Sequence, residues 1–298
     1  MKTRQFESRR PKAETRKKAE SRNPKSEGSA TEAFSDFGFR LSAFFRVSAF
    51  GLRTPCLLAL FLLCAPSSRG AVADALFRDG TEAYRAGENS HAAIVFREAA
   101  RQQPASGTLQ NLGNAQWRLG QTGLAVLAWE QALWLDPFNE AARNNLRFAR
   151  KAAQIETPDL TWYEVVSTWL PVNWWAWIAG LSFWLAVGTG TLPGILRLRK
   201  AVWHQAVAAL GLAIFLLSLP AHFGVATRCR LGFVLEKDTL LRLTPTLDAQ
   251  AITRLTAGEP ARLVRARGRF LLVRTHRALG WIEQDQFGLV CPGPKPKA

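Results

Sequence analysis

Two long apolar stretches dominate the pattern of hydrophobic and polar positions along this chain. They span 174–196 and 201–226, contain no Asp, Glu, Lys or Arg, and are separated by the basic turn 197–200. A helix needs about 20 apolar residues to cross the hydrocarbon core of a bilayer. A segment in lipid must also satisfy its own backbone hydrogen bonds, which favours a helix. The pattern therefore predicts two transmembrane helices joined as a hairpin.

The turn between these stretches contains three cations, Arg197, Arg199 and Lys200. The positive-inside rule places such a turn in the cytoplasm, so the regions before 174 and after 226 are both expected outside it. The alternative is a buried helical pair in a soluble protein. Tryptophans crowd the entry to the first stretch as they do in an interfacial aromatic belt, which favours the membrane; they are Trp162, Trp169, Trp174, Trp175 and Trp177.

Residues 74–150 contain an internal repeat with a period of 33. Small, aromatic and proline anchors recur at this shift, as Gly80/Gly113, Ala92/Ala125, Phe96/Trp129, Ala99/Ala132 and Pro104/Pro137. Small residues let two helices approach closely, and proline ends a helix. The pattern resembles the tetratricopeptide repeat, a helix–turn–helix unit of about 34 residues. A further helix at 139–153 lacks the anchors and is interpreted as the cap that such arrays need.

The repeat register predicts a shallow concave surface formed by the first helix of each unit. On that surface it places three residues of each repeat opposite one another, Thr81, Tyr84 and Arg85 against Asn114, Trp117 and Arg118. The aromatic and cationic pairs could form a cradle for a peptide. The alternative is that the aromatic side chains only fill space in an array too short to have a groove.

From 228 onward the pattern changes to short runs typical of strands, punctuated by turn residues such as Thr244-Pro245 and Ala257-Gly258. Strands are predicted at 231–235, 239–243, 261–265, 270–275, 280–283 and 287–290. About 65 residues with this spacing favour a small barrel. The order of its motifs, with Gly280-Trp281 near the end, resembles bacterial SH3-like domains. Residues 228–291 are therefore predicted to form this unit, with 154–173 as a linker before the apolar hairpin and 292–298 as a tail.

The N-terminal region 1–73 is predicted to lie outside any folded domain. Residues 1–53 contain a short repeat with a shift of 13 and no periodic apolar face, so we expect disorder. One hypothesis is that translation starts downstream of Met1. Residues 54–73 have a basic flank, an apolar core and the small residues Ala71 and Ala73, as a secretory signal cleaved after Ala73 would. An uncleaved anchor is the alternative.

Composition narrows the classes of function. The net charge of +16 is concentrated in 1–53 and in the region from 228, each with 13 basic and 6 acidic residues. No nucleic-acid-binding motif accompanies this charge, so nucleic acid is not expected as a partner. Cys229 and Cys291 bracket the predicted barrel, and in an oxidising compartment we predict a disulfide between them; two free thiols are the alternative. No spacing indicates a metal site, a cofactor site or a catalytic arrangement.

The chain is thus predicted to be a multidomain α plus β protein, with tetratricopeptide hairpins, a two-helix transmembrane hairpin and a small all-β SH3-like barrel. This order of parts, over about 54–290, resembles the Bat-type aerotolerance proteins of the BatE kind. The resemblance implies a scaffold in the inner membrane with periplasmic domains, and the lack of a catalytic arrangement in the sequence indicates that it is not an enzyme. Its implied partners are von Willebrand-type membrane proteins and a MoxR-type ATPase. The second hypothesis is a membrane protein whose SH3-like unit binds peptidoglycan.

Overall fold

The computed structural model describes residues 68–197 and 202–291, and within them the protein is mixed α plus β. These residues form eight α-helices followed by a seven-stranded antiparallel sheet. The predicted N-terminal region 1–53, most of the predicted signal peptide, Arg199, Lys200 and the tail 292–298 lie outside the described residues. Ala71 and Ala73 lie in the first helix, which begins before the predicted domain boundary at 74.

Five helices occupy the region in which the repeat was predicted. They are α1 (Ser68–Arg85), α2 (Asn89–Gln102), α3 (Ser106–Arg118), α4 (Thr122–Leu135) and α5 (Glu140–Ala153). The turns after α1 and α3 each contain a glycine with a positive φ, 82° at Gly87 and 74° at Gly120, a conformation that glycine adopts without steric cost. Pro104 and Pro137 follow the ends of α2 and α4, where no helical hydrogen bond is required.

The same packing contact occurs in both helix pairs, at equivalent positions of the repeat. A Cβ atom added to Gly80 would lie 2.8 Å from the Phe96 ring, and one added to Gly113 would lie 2.6 Å from Nε1 of Trp129. Both aromatic side chains are almost fully buried. The glycines therefore let α1 approach α2, and α3 approach α4, more closely than any larger residue would. The alanine anchors are buried in the same core; Ala92, Ala125 and Ala132 belong to its cluster, and Ala99 is buried beside them.

Three helices follow, the short α6 (Trp162–Ser167) and the long α7 (Val172–Ile195) and α8 (Val202–Arg228). The last two are long and apolar enough to cross a membrane. Only 11% and 17% of their most apolar stretches are buried, so most of their apolar side chains face outward. A core helix of a soluble protein would bury far more of its surface. The helices begin and end close to the bounds of the predicted spans.

The sheet contains β1 (Leu231–Val234), β2 (Thr239–Arg242), β3 (Ala251–Leu255), β4 (Pro260–Arg267), β5 (Phe270–Arg274), β6 (Leu279–Glu283) and β7 (Phe287–Leu289). Their order is β3-β2-β6-β5-β4-β1-β7, so β3 and β7 are the edges. A small β unit is present where one was predicted. Its sheet is not closed into a barrel by backbone hydrogen bonds between the described strands. β3 was missing from the predicted strands.

The helices and the sheet share a hydrophobic core. Leu231, Phe233 and Val290 of the β unit belong to the same buried cluster as the interior of α1–α5. Gln131 of α4 donates a hydrogen bond to the carbonyl of Leu289 over 2.9 Å. A separate cluster, centred on Leu241, Val273 and Ile282, fills the interior of the sheet. The helical region and the sheet are therefore docked through α4, which the sequence pattern did not predict.

Candidate binding groove

A groove of about 490 Å³ lies on the helical region, between the first helices of successive pairs. It is formed mainly by aromatic and polar side chains from α1, α3, α4 and α5, namely Tyr84, Asn114, Trp117, Arg118, Trp129, Asn145 and Phe148. We call this set the binding groove. Its side chains can stack on apolar groups and exchange hydrogen bonds with a bound backbone.

Asn114 organises the floor of the binding groove. Its side-chain oxygen accepts a hydrogen bond from Nε1 of Trp129 at 3.1 Å and another from Nδ2 of Asn145 at 2.7 Å. Trp129 Nε1 also donates to the carbonyl of Gln110 at 3.2 Å. Because the oxygen of Asn114 accepts both of these hydrogen bonds, its amide nitrogen remains available as a donor.

Trp117 forms the aromatic wall. Its ring centroid lies 5.9 Å from that of Trp129 and 5.9 Å from that of Phe148, which it meets edge to face. Such spacing is typical of stabilising aromatic pairs. Phe148 is 62% exposed and therefore offers apolar surface to a partner. Among the described residues, Arg118 is the only charged one that lines the groove, and it is exposed, so the groove favours a segment with negative charge.

Four of the six predicted concave-face residues line the groove, and two do not. Thr81 donates a hydrogen bond back to the carbonyl of Phe77 at 2.7 Å, and Arg85 is exposed at the end of α1 outside the groove. Asn145 and Phe148 belong to the groove but were not predicted. They lie on α5, which lacks the repeat anchors. Asn145 lies 31 residues after Asn114, two short of the repeat period, so the repeat register does not select it.

A charged junction ties the linker to the sheet. Arg262 of β4 donates to both carboxylate oxygens of Glu164 on α6 at 2.7 Å and also to the carbonyl of Asp159. Burial opposes ionisation of Glu164, but the hydrogen bonds from Arg262 and from the backbone of Thr161 outweigh it and lower the pKa of Glu164 to about 2. Glu156 adds contacts to His276 and Arg277.

The two cysteines of the predicted disulfide lie at the two ends of the β unit and are present as thiols. Burial, together with a hydrogen bond and an unfavourable charge interaction with the thiol of Cys291, raises the pKa of Cys229 to about 12. The thiols are therefore adjacent, as a disulfide requires, and the bond itself stays a prediction. Within residues 68–197 and 202–291, no three His, Cys, Asp or Glu side chains come together as metal ligands would.

Arg197 lies just after the first apolar helix, with a φ of 53°, and is the one cation of the predicted topological turn that the described residues include. Comparison of the chain with protein-family models, with curated proteins and with solved structures finds no match.

Proposed function

We propose that this chain is a membrane-anchored, non-enzymatic scaffold that holds a segment of a partner protein in its binding groove. The observation that carries the proposal is the combination of exposed Phe148, the wall formed by Trp117 and the exposed cation Arg118 on one concave surface. Aromatic and arginine side chains dominate binding energy at protein interfaces. The preferred occupant is a peptide segment that has apolar and acidic side chains.

The helical region is assigned to the tetratricopeptide type. The Gly80–Phe96 contact recurs as Gly113–Trp129, and the positive-φ turn recurs at the same shift, which supports this assignment. The sheet is assigned to the SH3-like type as an open, bent variant. Register shifts in β2 and β4 support a strongly curved sheet, since bulges increase local twist.

Insertion of α7 and α8 into a bilayer is supported by their exposed apolar surface. Leu217 is 75% exposed, Ile195 73% and Trp184 69%. Side chains of this size at this exposure would be unfavourable in water on so long a helix pair. The extracytoplasmic orientation of the groove and the sheet rests on the basic turn, and it would be tested with reporters fused to each soluble part that are active only after export. Activity of both reporters is expected; a reporter active only in the cytosol would overturn the orientation.

The resemblance to Bat-type systems supplies the proposed partners, von Willebrand-type membrane proteins together with a MoxR-type ATPase. The direct test is a photo-crosslinking amino acid placed at Phe148 in the full chain in cells. Ile94 is the matched control position, because it is 61% exposed against 62% for Phe148 and lies on α2 outside the groove. A partner protein captured from Phe148 and not from Ile94 is expected, and equal capture would overturn the groove assignment.

A charge reversal tests the same groove independently. Arg118→Glu should weaken retention of the captured partner by about tenfold, because an acidic segment would then meet a like charge. Arg85→Glu is the control, since Arg85 is also exposed and lies outside the groove. An equal loss in both variants would indicate general charge attraction instead.

Peptidoglycan binding by the β unit is the second candidate. Four exposed arginines favour it, because none of their guanidinium groups has a hydrogen-bonded or ionic partner among the described residues; they are Arg254, Arg265, Arg267 and Arg274. An anionic polymer would be attracted to such a surface. Retention of the full chain on purified peptidoglycan, lost in the Arg265→Gln/Arg267→Gln double variant, would support this function. No retention of the unaltered chain would exclude it.

A further inference from the structure

A second cavity, of about 600 Å³, lies on a different side of the helical region from the binding groove. It is formed by one face of α5 together with α4, the linker, Thr168 after α6 and the last residue of α8. Five cations line it, and we call it the basic pocket after them: Arg143, Arg147, Arg150, Lys151 and Arg228. The four cations on α5 recur at helical spacing, which places them on one helix face.

The charges of the basic pocket are poorly compensated. Among the described residues, Glu130 is its only acidic lining residue, and that carboxylate is already paired with Arg150. Arg147 and Lys151 are exposed, and no hydrogen bond or ion pair joins their side chains to the described residues. Like charges concentrated on one concave surface repel each other unless an anion is bound.

The inner wall of the basic pocket contains unused donors. Arg228 is only 7% exposed; it donates to the hydroxyl of Ser167 at 3.3 Å and lies over the Trp134 ring at 4.9 Å. The Nε atoms of Arg228 and Arg150 are buried and find no hydrogen-bond partner among the described residues. A buried donor without an acceptor is costly, because it has lost its hydrogen bonds to water. An anion bound in the pocket would offset this cost through its charge, because both guanidinium-bearing residues line the cavity.

The location of the basic pocket indicates where such an anion comes from. Thr168 lines it shortly before α7 begins, and Arg228 lines it as the final residue of α8. The pocket thus lies where both apolar helices emerge. Trp162 and Trp169, which are 67% and 62% exposed, flank the same end. Exposed tryptophans of this kind are enriched at the level of lipid headgroups.

We propose that the basic pocket binds a phosphate group, supplied by the headgroup of an anionic phospholipid. Arginine forks match the geometry of phosphate oxygens and bind them by charge-assisted hydrogen bonds. Arg150 and Arg228 form the inner contacts, while Arg143, Arg147 and Lys151 surround the open side. A free phosphate ion presents the same chemistry, so the experiment distinguishes the two sources. Only the assignment to lipid rests on the proposed membrane insertion.

The test uses the full chain purified in an uncharged detergent. Its thermal unfolding midpoint is measured with increasing short-chain phosphatidylglycerol, short-chain phosphatidylcholine or inorganic phosphate. A saturable rise with phosphatidylglycerol that exceeds the rise with phosphatidylcholine is expected, since binding to the folded state alone stabilises it. A rise with inorganic phosphate alone would keep the phosphate site and overturn the lipid source. No rise with either anion would overturn the proposal.

A charge-matched pair of variants separates a specific site from general attraction. Arg147→Gln/Lys151→Gln removes two exposed cations of the basic pocket that make no ion pair with the described residues, so the fold should tolerate it. Arg265→Gln/Arg267→Gln removes two exposed cations from the sheet and is the control. The first variant should weaken phosphatidylglycerol binding by about tenfold, as expected for lost charge-assisted contacts, and the second should not. Equal effects, or none, would overturn the proposal.

Discussion

Glu164 shows how one residue can couple the linker to the sheet. Its carboxylate is fully buried and is ionised because Arg262 and the backbone of Thr161 hydrogen-bond to it. The pKa of Glu164 in the folded protein is about 2, against an ordinary value of 4.5. A lowered folded-state pKa stabilises the protein at pH values above the ordinary pKa. That stabilisation is lost as the pH falls from about 4.5 towards 2.

We therefore expect Glu164→Gln to lower the free energy of unfolding at neutral pH by about 3 kcal/mol, from the size of the pKa shift. The same variant should show a flatter decline of stability between pH 4.5 and pH 2. Denaturant unfolding of the full chain in detergent at several pH values measures both. Glu98→Gln removes an exposed ion pair with Arg101 and should change stability by no more than about 0.5 kcal/mol. Parallel pH profiles for Glu164→Gln and the unaltered chain would contradict the argument.

Residue patterns predicted part of the binding groove and left the rest undetected. Trp117 and Arg118 could be found because their helix repeats the anchors of the preceding pair. Phe148 could not, because α5 has no such anchors and its contribution depends on how it packs against Trp117. Trp129 was predicted as a packing anchor, and it also contributes an edge to the groove. A repeat pattern gives equivalent positions, whereas a groove also includes side chains from the irregular end of an array.

Among the elements, the apolar pair α7 and α8 approaches closely at Gly211. A Cβ atom there would lie 2.9 Å from the carbonyl oxygen of Ser182 and 3.1 Å from the nitrogen of Ala186. Small residues at such contacts let helices associate in lipid through backbone proximity. A Cβ atom at Gly180, on α7, would meet no atom of the described residues within 4 Å.

Gly211→Leu should therefore force the two helices apart and destabilise the folded protein by about 1–3 kcal/mol. Gly180→Leu adds the same side chain to an open position and should have little effect. The measurement is the fraction of protein that stays monodisperse in detergent after heating, determined by size-exclusion chromatography. Similar losses in both variants would show that the close approach at Gly211 is unimportant.

Cys229 directly follows α8, and Cys291 lies at the end of the β unit. Because the pKa of Cys229 is raised to about 12, little thiolate is available at neutral pH, and the thiolate is the reactive form. We expect the reduced protein to be alkylated slowly at Cys229, with a rate that increases steeply at alkaline pH. In exported protein, non-reducing peptide mass mapping should identify the predicted Cys229–Cys291 bond. Alkylation of both residues in that sample would exclude it.

The positions of helices and strands were predicted well where the pattern of apolar residues was strong. The helices α7 and α8 were located closely because their apolar runs are long and uninterrupted. β3 was missed because it is an edge strand whose side chains are mostly exposed, so its sequence Ala251–Leu255 does not show a buried face. It is held by hydrogen bonds to β2, and such pairing partners leave no mark in the local pattern.

At the scale of the whole molecule, the docking of the helical region on the sheet was the largest departure from expectation. The contact is made by α4, whose Leu127 lies against Gly288, where a Cβ atom would be only 2.2 Å away. Most of α4 is apolar on every side, which is typical of a helix buried between two layers. The sequence could have shown that α4 needs two partners, but not that the second is the sheet.

A fragment comprising 68–155 should accordingly expose the sheet-facing side of α4 and aggregate. Leu127→Lys should improve the solubility of that fragment and, in the full chain, lower the free energy of unfolding by about 2 kcal/mol, because the charge would be buried against the sheet. Ile94→Lys, at an exposed position on α2, should stay within about 0.5 kcal/mol in the full chain. Light scattering of the fragments and denaturant unfolding of the full chain measure the two effects. If the fragment 68–155 stayed soluble without the Leu127→Lys substitution, the expectation that its exposed α4 face aggregates would be contradicted.

Helix α4 therefore lies between the binding groove and the sheet. One side contributes Trp129 to the binding groove, and the other side carries Leu127 and Gln131 against the sheet. The groove and the sheet are separated by the width of a single helix, about 10 Å. We therefore expect an occupant that displaces the Trp129 indole to disturb the packing of α4 on the sheet as well, because the same helix contributes to both surfaces.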